Sequence, residues 1–125
     1  MAGHVYYNKL IRDNIEAKIR AKGENCEVRA ITDDQEFEQE LLKKVTEEAS
    51  ALSKVRTKEE FLDELADLMA VIDTLRALQG VSDTDLAEAR TKNESKKGGF
   101  EKRLFLHWSD DSDYKSNETP QGVKS

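Results

Sequence analysis

Four carboxylates could do chemistry in this sequence: Glu47 and Glu48 in one stretch, Glu64 and Asp67 in the next. Glu64 and Asp67 are three residues apart, about one helical turn, so a helix would set them on one face. At about 100° per residue, Glu48 falls inside the apolar stripe Phe37, Leu41, Val45, Ala49 and Leu52. Glu64 falls inside the stripe Phe61, Leu65, Leu68, Ile72 and Leu75, with Asp67 at its edge. A carboxylate turned toward an apolar core is costly unless it is paired or binds a metal. Converging carboxylates also repel one another, which makes a divalent cation their natural partner. Asp63 flanks the same side as Asp67, whereas Asp73 points farther away. Glu59, Glu60 and Asp63 are also the acids expected at a helix N-terminus, where the dipole favours them.

Such a platform needs two helices facing each other. Thr32-Asp33-Asp34-Gln35-Glu36 is an N-cap signature with acids in the first turn, and it predicts a helix near 34–54. Thr57-Lys58-Glu59-Glu60 is a capping box and starts a second helix near 58–79, which Gly80 stops. The short turn between them predicts an antiparallel pair with its acids facing across it. Upstream, Leu10, Ile11, Ile15 and Ile19 recur at helical spacing within 5–22, with Asn8 or Asp13 as cap and Gly23 as stop. Downstream, Ser82-Asp83-Thr84-Asp85 caps a helix near 83–97, ended by Gly98-Gly99, with Leu86 and Ala89 on its inner side. Cys26–Ile31 alternates as a short strand would, and Phe100 with Arg103–Trp108 offers a second to pair with it. The expected fold is therefore all-α: a helical bundle of about four helices with a small two-stranded accessory β ribbon. The domain would span 1–108. Residues 109–125 have almost no apolar content and read as a disordered tail.

The 125 residues suit one domain with a modest core. No apolar run approaches the roughly 20 residues needed to span a bilayer. The opening residues lack the charged-then-apolar pattern of a secretory leader. The lone Cys26 cannot form an intrachain disulfide and fits a reducing cytoplasm; it has no neighbouring histidine and reads as a small apolar residue. Net charge is −6, unevenly spread. Residues 33–67 hold twelve acids and five bases, against six bases and two acids in 90–103. The acidic middle argues against a nucleic-acid polymer on that face, because a phosphate backbone needs positive charge. Acid beside base suits another ligand: carboxylates for a metal and cations for a short polyphosphate.

The cations for that second task are Lys9, Arg12, Lys92 and Lys96, with Lys97 beside them. Each has a plainer reading. Lys9 and Arg12 would equally anchor the N-terminal helix by ion pairs, and lysines at a helix C-terminus compensate its dipole. Tyr6 and Tyr7 read as packing residues or, less simply, as stacking surfaces for a base. His107 and Trp108 read as strand or interface residues.

Glu47-Glu48 followed by Glu64-Leu65-Ala66-Asp67 resembles the metal-binding pattern of the all-α nucleoside triphosphate pyrophosphohydrolases, the MazG-like and phosphoribosyl-ATP pyrophosphohydrolase-like group. Tyr7-Asn8-Lys9-Leu10-Ile11-Arg12-Asp13 is similar to the opening of the family's predicted house-cleaning branch, and Lys97-Gly98-Gly99-Phe100-Glu101-Lys102-Arg103 to its closing stretch. The resemblance runs in order over roughly 5–107. It departs at two places: Ala51 and Ala70 stand where the pattern has further glutamates.

The resemblance implies Mg²⁺-assisted hydrolysis of a nucleoside triphosphate between the α- and β-phosphates, with Mn²⁺ as an alternative ion. Glu48, Glu64 and Asp67 match the metal ligands. Glu47 would orient the attacking water or take its proton. The products would be a nucleoside monophosphate and pyrophosphate, the substrates non-standard or surplus nucleotides. Family members typically pair their helices, implying a homodimer or homotetramer. Ala51 and Ala70 keep a second reading open, a degenerate member that binds nucleotide or protein without catalysis. A third is a structural helical adaptor, its carboxylates paired with Lys43, Lys44 and Lys58.

Overall fold

The structure is a computed structural model and describes residues 3–124. It contains four helices: α1 (Ile15–Ala21), α2 (Asp34–Leu52), α3 (Lys58–Gln79) and α4 (Asp83–Lys97). The chain divides into two compact units, Met1–Ala87 and Glu88–Ser125.

The first unit is organised around α2 and α3, the packed helix pair among its described residues. Their ends follow from local chemistry. The Asp33 carboxylate accepts the Glu36 N–H and opens α2. The Thr57 hydroxyl oxygen accepts the Glu60 N–H and opens α3. The Glu60 carboxylate reaches back to the Arg56 N–H, one residue beyond the N-cap. Gly80 closes α3 at φ 69°, a left-handed conformation that glycine adopts without a Cβ penalty. The Gln79 amide donates to the Glu38 carboxylate at 3.1 Å, tying the end of α3 to the start of α2. The two helices therefore run antiparallel.

Leu41 of α2 and Val71 of α3 are the most deeply buried apolar side chains among the described residues of this unit, at 5% and 6% exposure. Phe37, Val45, Leu52, Leu65, Leu68, Ile72 and Leu75 are half-buried around them. Phe61, expected in the core stripe, is instead 42% exposed, and Leu42, Leu62 and Met69 are open to a similar degree. The pair thus buries one seam and leaves apolar side chains on its outer faces.

Two expectations are corrected. The first helix begins at Ile15 with Asn14 as its N-cap, one residue after the Asp13 alternative, and not at Asn8, whose φ of 46° breaks a right-handed helix. Residues 3–14 form no helix. The second correction concerns the β ribbon, since no strand is found among the described residues. An isolated two-stranded ribbon is marginal in water and needs a packed face. The C-terminal candidate has none: Phe100, Leu104, Phe105, Leu106 and Trp108 are between 75% and 95% exposed. Arg103, at φ 54°, donates its N–H to the Phe100 carbonyl and turns the chain where the strand should begin. Around the other candidate, the Cys26 carbonyl accepts from the Arg20 guanidinium, and Arg29 pairs with Glu36.

α4 opens on a reciprocal capping box: Asp85 N–H to the Ser82 hydroxyl and Ser82 N–H to the Asp85 carboxylate, both 3.0 Å. No described helix is long and apolar enough to cross a membrane.

Candidate metal centre

α3 presents Glu64 and Asp67 one turn apart, and α2 presents Glu48 across the pair. One oxygen from each lies within 4.8 Å of the others. An octahedral Mg²⁺ with bonds of about 2.0–2.1 Å sets neighbouring ligand oxygens about 3 Å apart and opposite ones about 4 Å apart. The 4.8 Å limit on the three carboxylate oxygens is somewhat wider than that spacing. All three are half-buried, enough to weaken solvent screening yet open to a ligand.

The surrounding charges are not evenly shared. Lys44 lies one turn before the two adjacent glutamates of α2. Its ammonium sits 3.2 Å from Glu47 and 3.6 Å from Glu48. Arg12 sits 3.5 Å from Asp67. Among the described residues, Glu64 makes no ion pair within 4 Å. Its pKa is raised, first by burial and then by the charges of Asp67, Asp63, Glu48 and Glu60. Glu64 is thus the member of the three that lacks a nearby counter-charge. Three hard oxygen donors around that deficit suit Mg²⁺ or Mn²⁺, which prefer oxygen ligands and tolerate retained waters.

Glu47 has the opposite surroundings. Its Oε1 accepts from Lys9 at 2.8 Å and from Lys44 at 3.2 Å. The Lys9 bond, and less strongly Lys44, hold its carboxyl below the usual range. Glu47 lies beside the triad rather than within it. To accept a proton from water it must loosen its hold on Lys9. Lys9, raised in turn by that bond, also lies over the Tyr7 ring at 5.5 Å.

The structure therefore brings Lys9, Arg12, Glu47, Glu48, Glu64 and Asp67 together in one unit. Lys92 and Lys96 lie exposed on α4 in the second unit. Asp63 is exposed on α3, and Asp73 is 3.9 Å from Arg76. Ala51 and Ala70 are half-buried on the two facing helices. Sequence reasoning gave Lys44 only a structural part. Its signal was present: a lysine three and four residues before two glutamates meets both on a helix face. No protein-family model matches this chain, and neither does any curated protein or any solved structure.

Proposed function

We propose that the protein is a Mg²⁺-dependent nucleoside triphosphate pyrophosphohydrolase that releases pyrophosphate and a nucleoside monophosphate, serving to clear non-standard nucleotides. The observation that carries this reading is the convergence of Glu48, Glu64 and Asp67 from two helices, with their oxygens within 4.8 Å. The Tyr7–Asp13 and Lys97–Arg103 stretches, similar to those of the MazG-like group, support it from sequence.

Glu48, Glu64 and Asp67 would hold the ion. Bound there, it would lower the pKa of a water and neutralise charge developing on the phosphates. Glu47 accepts the proton of the attacking water once Lys9 turns toward substrate. Lys9 and Arg12 offer their cations to phosphate oxygens, and Lys92 and Lys96 are further candidates for that role. The protein would work in the cytoplasm, in keeping with its free Cys26. It would also work as a homodimer or homotetramer, because Leu42, Phe61, Leu62 and Met69 remain exposed on the hairpin. Light scattering on the purified chain measures that state.

The functional test is incubation with a panel of nucleoside triphosphates and Mg²⁺ or Mn²⁺, with pyrophosphate as the readout. Turnover that Glu48→Gln or Glu64→Gln abolishes supports the enzyme. Its absence across the panel counts against it. Ala51 and Ala70 favour one alternative, a nucleotide- or protein-binding member that does not catalyse. Nucleotide binding without turnover, with turnover gained on Ala51→Glu, would select that alternative.

A further inference from the structure

The N-terminal segment does more than flank the carboxylates. Its two cations touch both helices of the pair: Lys9 holds Glu47 on α2 at 2.8 Å, and Arg12 approaches Asp67 on α3 at 3.5 Å. They leave from residues 3–14, which have no helix to melt if the segment moves. Val5, Tyr6 and Tyr7 are 69–80% exposed, so little apolar packing holds its start. Asn8, left-handed at φ 46°, turns the chain just before Lys9. Leu10 between the two cations is half-buried and gives the segment one anchor.

Three cations serve this carboxylate group, and they differ in freedom. The Lys44 side chain is 12% exposed and lies within α2, so it is fixed. Lys9 and Arg12 are 41% and 62% exposed, and Arg12 makes a single long contact. Pairs this open contribute little and are cheaply exchanged. A bare divalent ion arriving at Glu48, Glu64 and Asp67 meets Arg12 already facing one of its ligands and Lys9 close by. It must overcome both. An ion arriving with a polyphosphate brings anionic oxygens of its own, to which both cations can turn.

We propose that residues 5–14 form a counter-ion strap: Lys9 and Arg12 oppose binding of the free metal ion and favour the ion together with a polyphosphate by exchanging carboxylate partners for phosphate oxygens. This deepens the metal-site reading above and rests on it. The strap would make the platform selective for the loaded metal–nucleotide pair over the ion alone.

The test is calorimetry on the full chain with two probes, Mn²⁺ alone and Mn²⁺ with the non-hydrolysable imidodiphosphate. Removing two exposed charge pairs with Lys9→Gln/Arg12→Gln should tighten Mn²⁺ alone about fivefold and weaken the Mn²⁺–imidodiphosphate pair about fivefold. The charge-preserving Lys9→Arg/Arg12→Lys should behave as the parent. The single Arg12→Gln, at a mostly exposed side chain, should show both shifts at reduced size. The strap is overturned if the two affinities move in the same direction, or if neither moves while Glu64→Gln, which removes no strap contact, loses Mn²⁺ binding. If Glu64→Gln binds Mn²⁺ as the parent does, the platform itself falls, and the strap with it.

Discussion

Glu47 and Glu64 stand on facing helices of one hairpin, yet their surroundings are opposite. Glu47 is held by two ammonium groups, and its carboxyl is pulled below the ordinary range. Glu64 is ringed by Asp67, Asp63, Glu48 and Glu60, has no ion pair among the described residues, and is pushed above that range. A structural ion-pair network would spread its cations over both. Here Lys9 and Lys44 meet on Glu47, Lys44 and Arg12 also reach Glu48 and Asp67 at 3.6 and 3.5 Å, and Glu64 is the one of the four left without an ion pair among the described residues. On the metal-site proposal that difference has a use: Glu47, at the rim, is already balanced, whereas Glu64, at the centre, would gain a counter-charge from a bound cation.

The largest expected effect comes from the centre. Glu64→Gln should bring pyrophosphate release to background and remove Mn²⁺ binding, while leaving the helical circular dichroism intact. Its melting temperature should hold or rise, because a carboxylate among like charges is relieved. A clear fall in melting temperature with activity retained would make Glu64 a structural residue and collapse the comparison. Glu47→Gln should act differently. Loss of a proton acceptor typically slows catalysis about 100-fold or more, and Mn²⁺ binding should survive. If Glu47→Gln loses the metal as fully as Glu64→Gln does, rim and centre are one site.

A smaller effect is expected from adding charge where the helices present alanine. Ala51 lies three residues after Glu48, and a carboxylate there would add a fourth oxygen donor. Ala51→Glu should tighten Mn²⁺ binding about tenfold, since affinity at such sites scales with ligand charge. It should also lower the melting temperature without metal, by deepening the deficit at the centre. A variant that gains stability without metal would mean that the centre was never short of positive charge.

Much of this was legible in the sequence, for reasons that particular residues show. The bounds of α3 and α4 follow from Thr57, Gly80 and Ser82, because caps and left-handed glycines act locally. α2 ends at Leu52, two residues before its expected limit, where the backbone bonding tightens to three-residue steps, Lys54 N–H to the Ala51 carbonyl and Val55 N–H to the Leu52 carbonyl. Glu64 and Asp67 were legible as a pair because residues three apart on a helix share a face, and Glu48 joined them through the short turn that predicts an antiparallel α2 and α3. The ribbon was not, because alternation in Cys26–Ile31 says that a strand is allowed, while only a partner makes one. Val71 was also missed as a core residue, and Phe61 wrongly included. Which side of a helix is most deeply covered depends on how its neighbour crosses, and periodicity alone does not carry that. Lys9 and Arg12 were legible as cations but not in place, since the helix expected to hold them starts only at Ile15.

The smallest effect is the pH dependence of stability without added metal, and here rim and centre should pull in opposite directions. Glu47 has a lowered folded-state pKa. Its contribution is therefore present above the ordinary glutamate value of 4.5 and is lost as pH falls through the lower folded value. Glu64 has a raised folded-state pKa. Its contribution is complete below 4.5 and is lost as pH rises through the higher folded value, because the folded state then gives up a proton it held more tightly than the unfolded chain. Denaturant unfolding in the absence of divalent ions measures both. Relative to the parent, Glu47→Gln should flatten the stability profile on the acid side of 4.5, and Glu64→Gln should flatten it on the other. Matching changes from the two variants would show that both acids share one electrostatic environment. Saturating Mn²⁺ supplies a sharper contrast: it should remove the Glu64 slope, because a metal-bound carboxylate stays ionised, and leave most of the Glu47 slope in place.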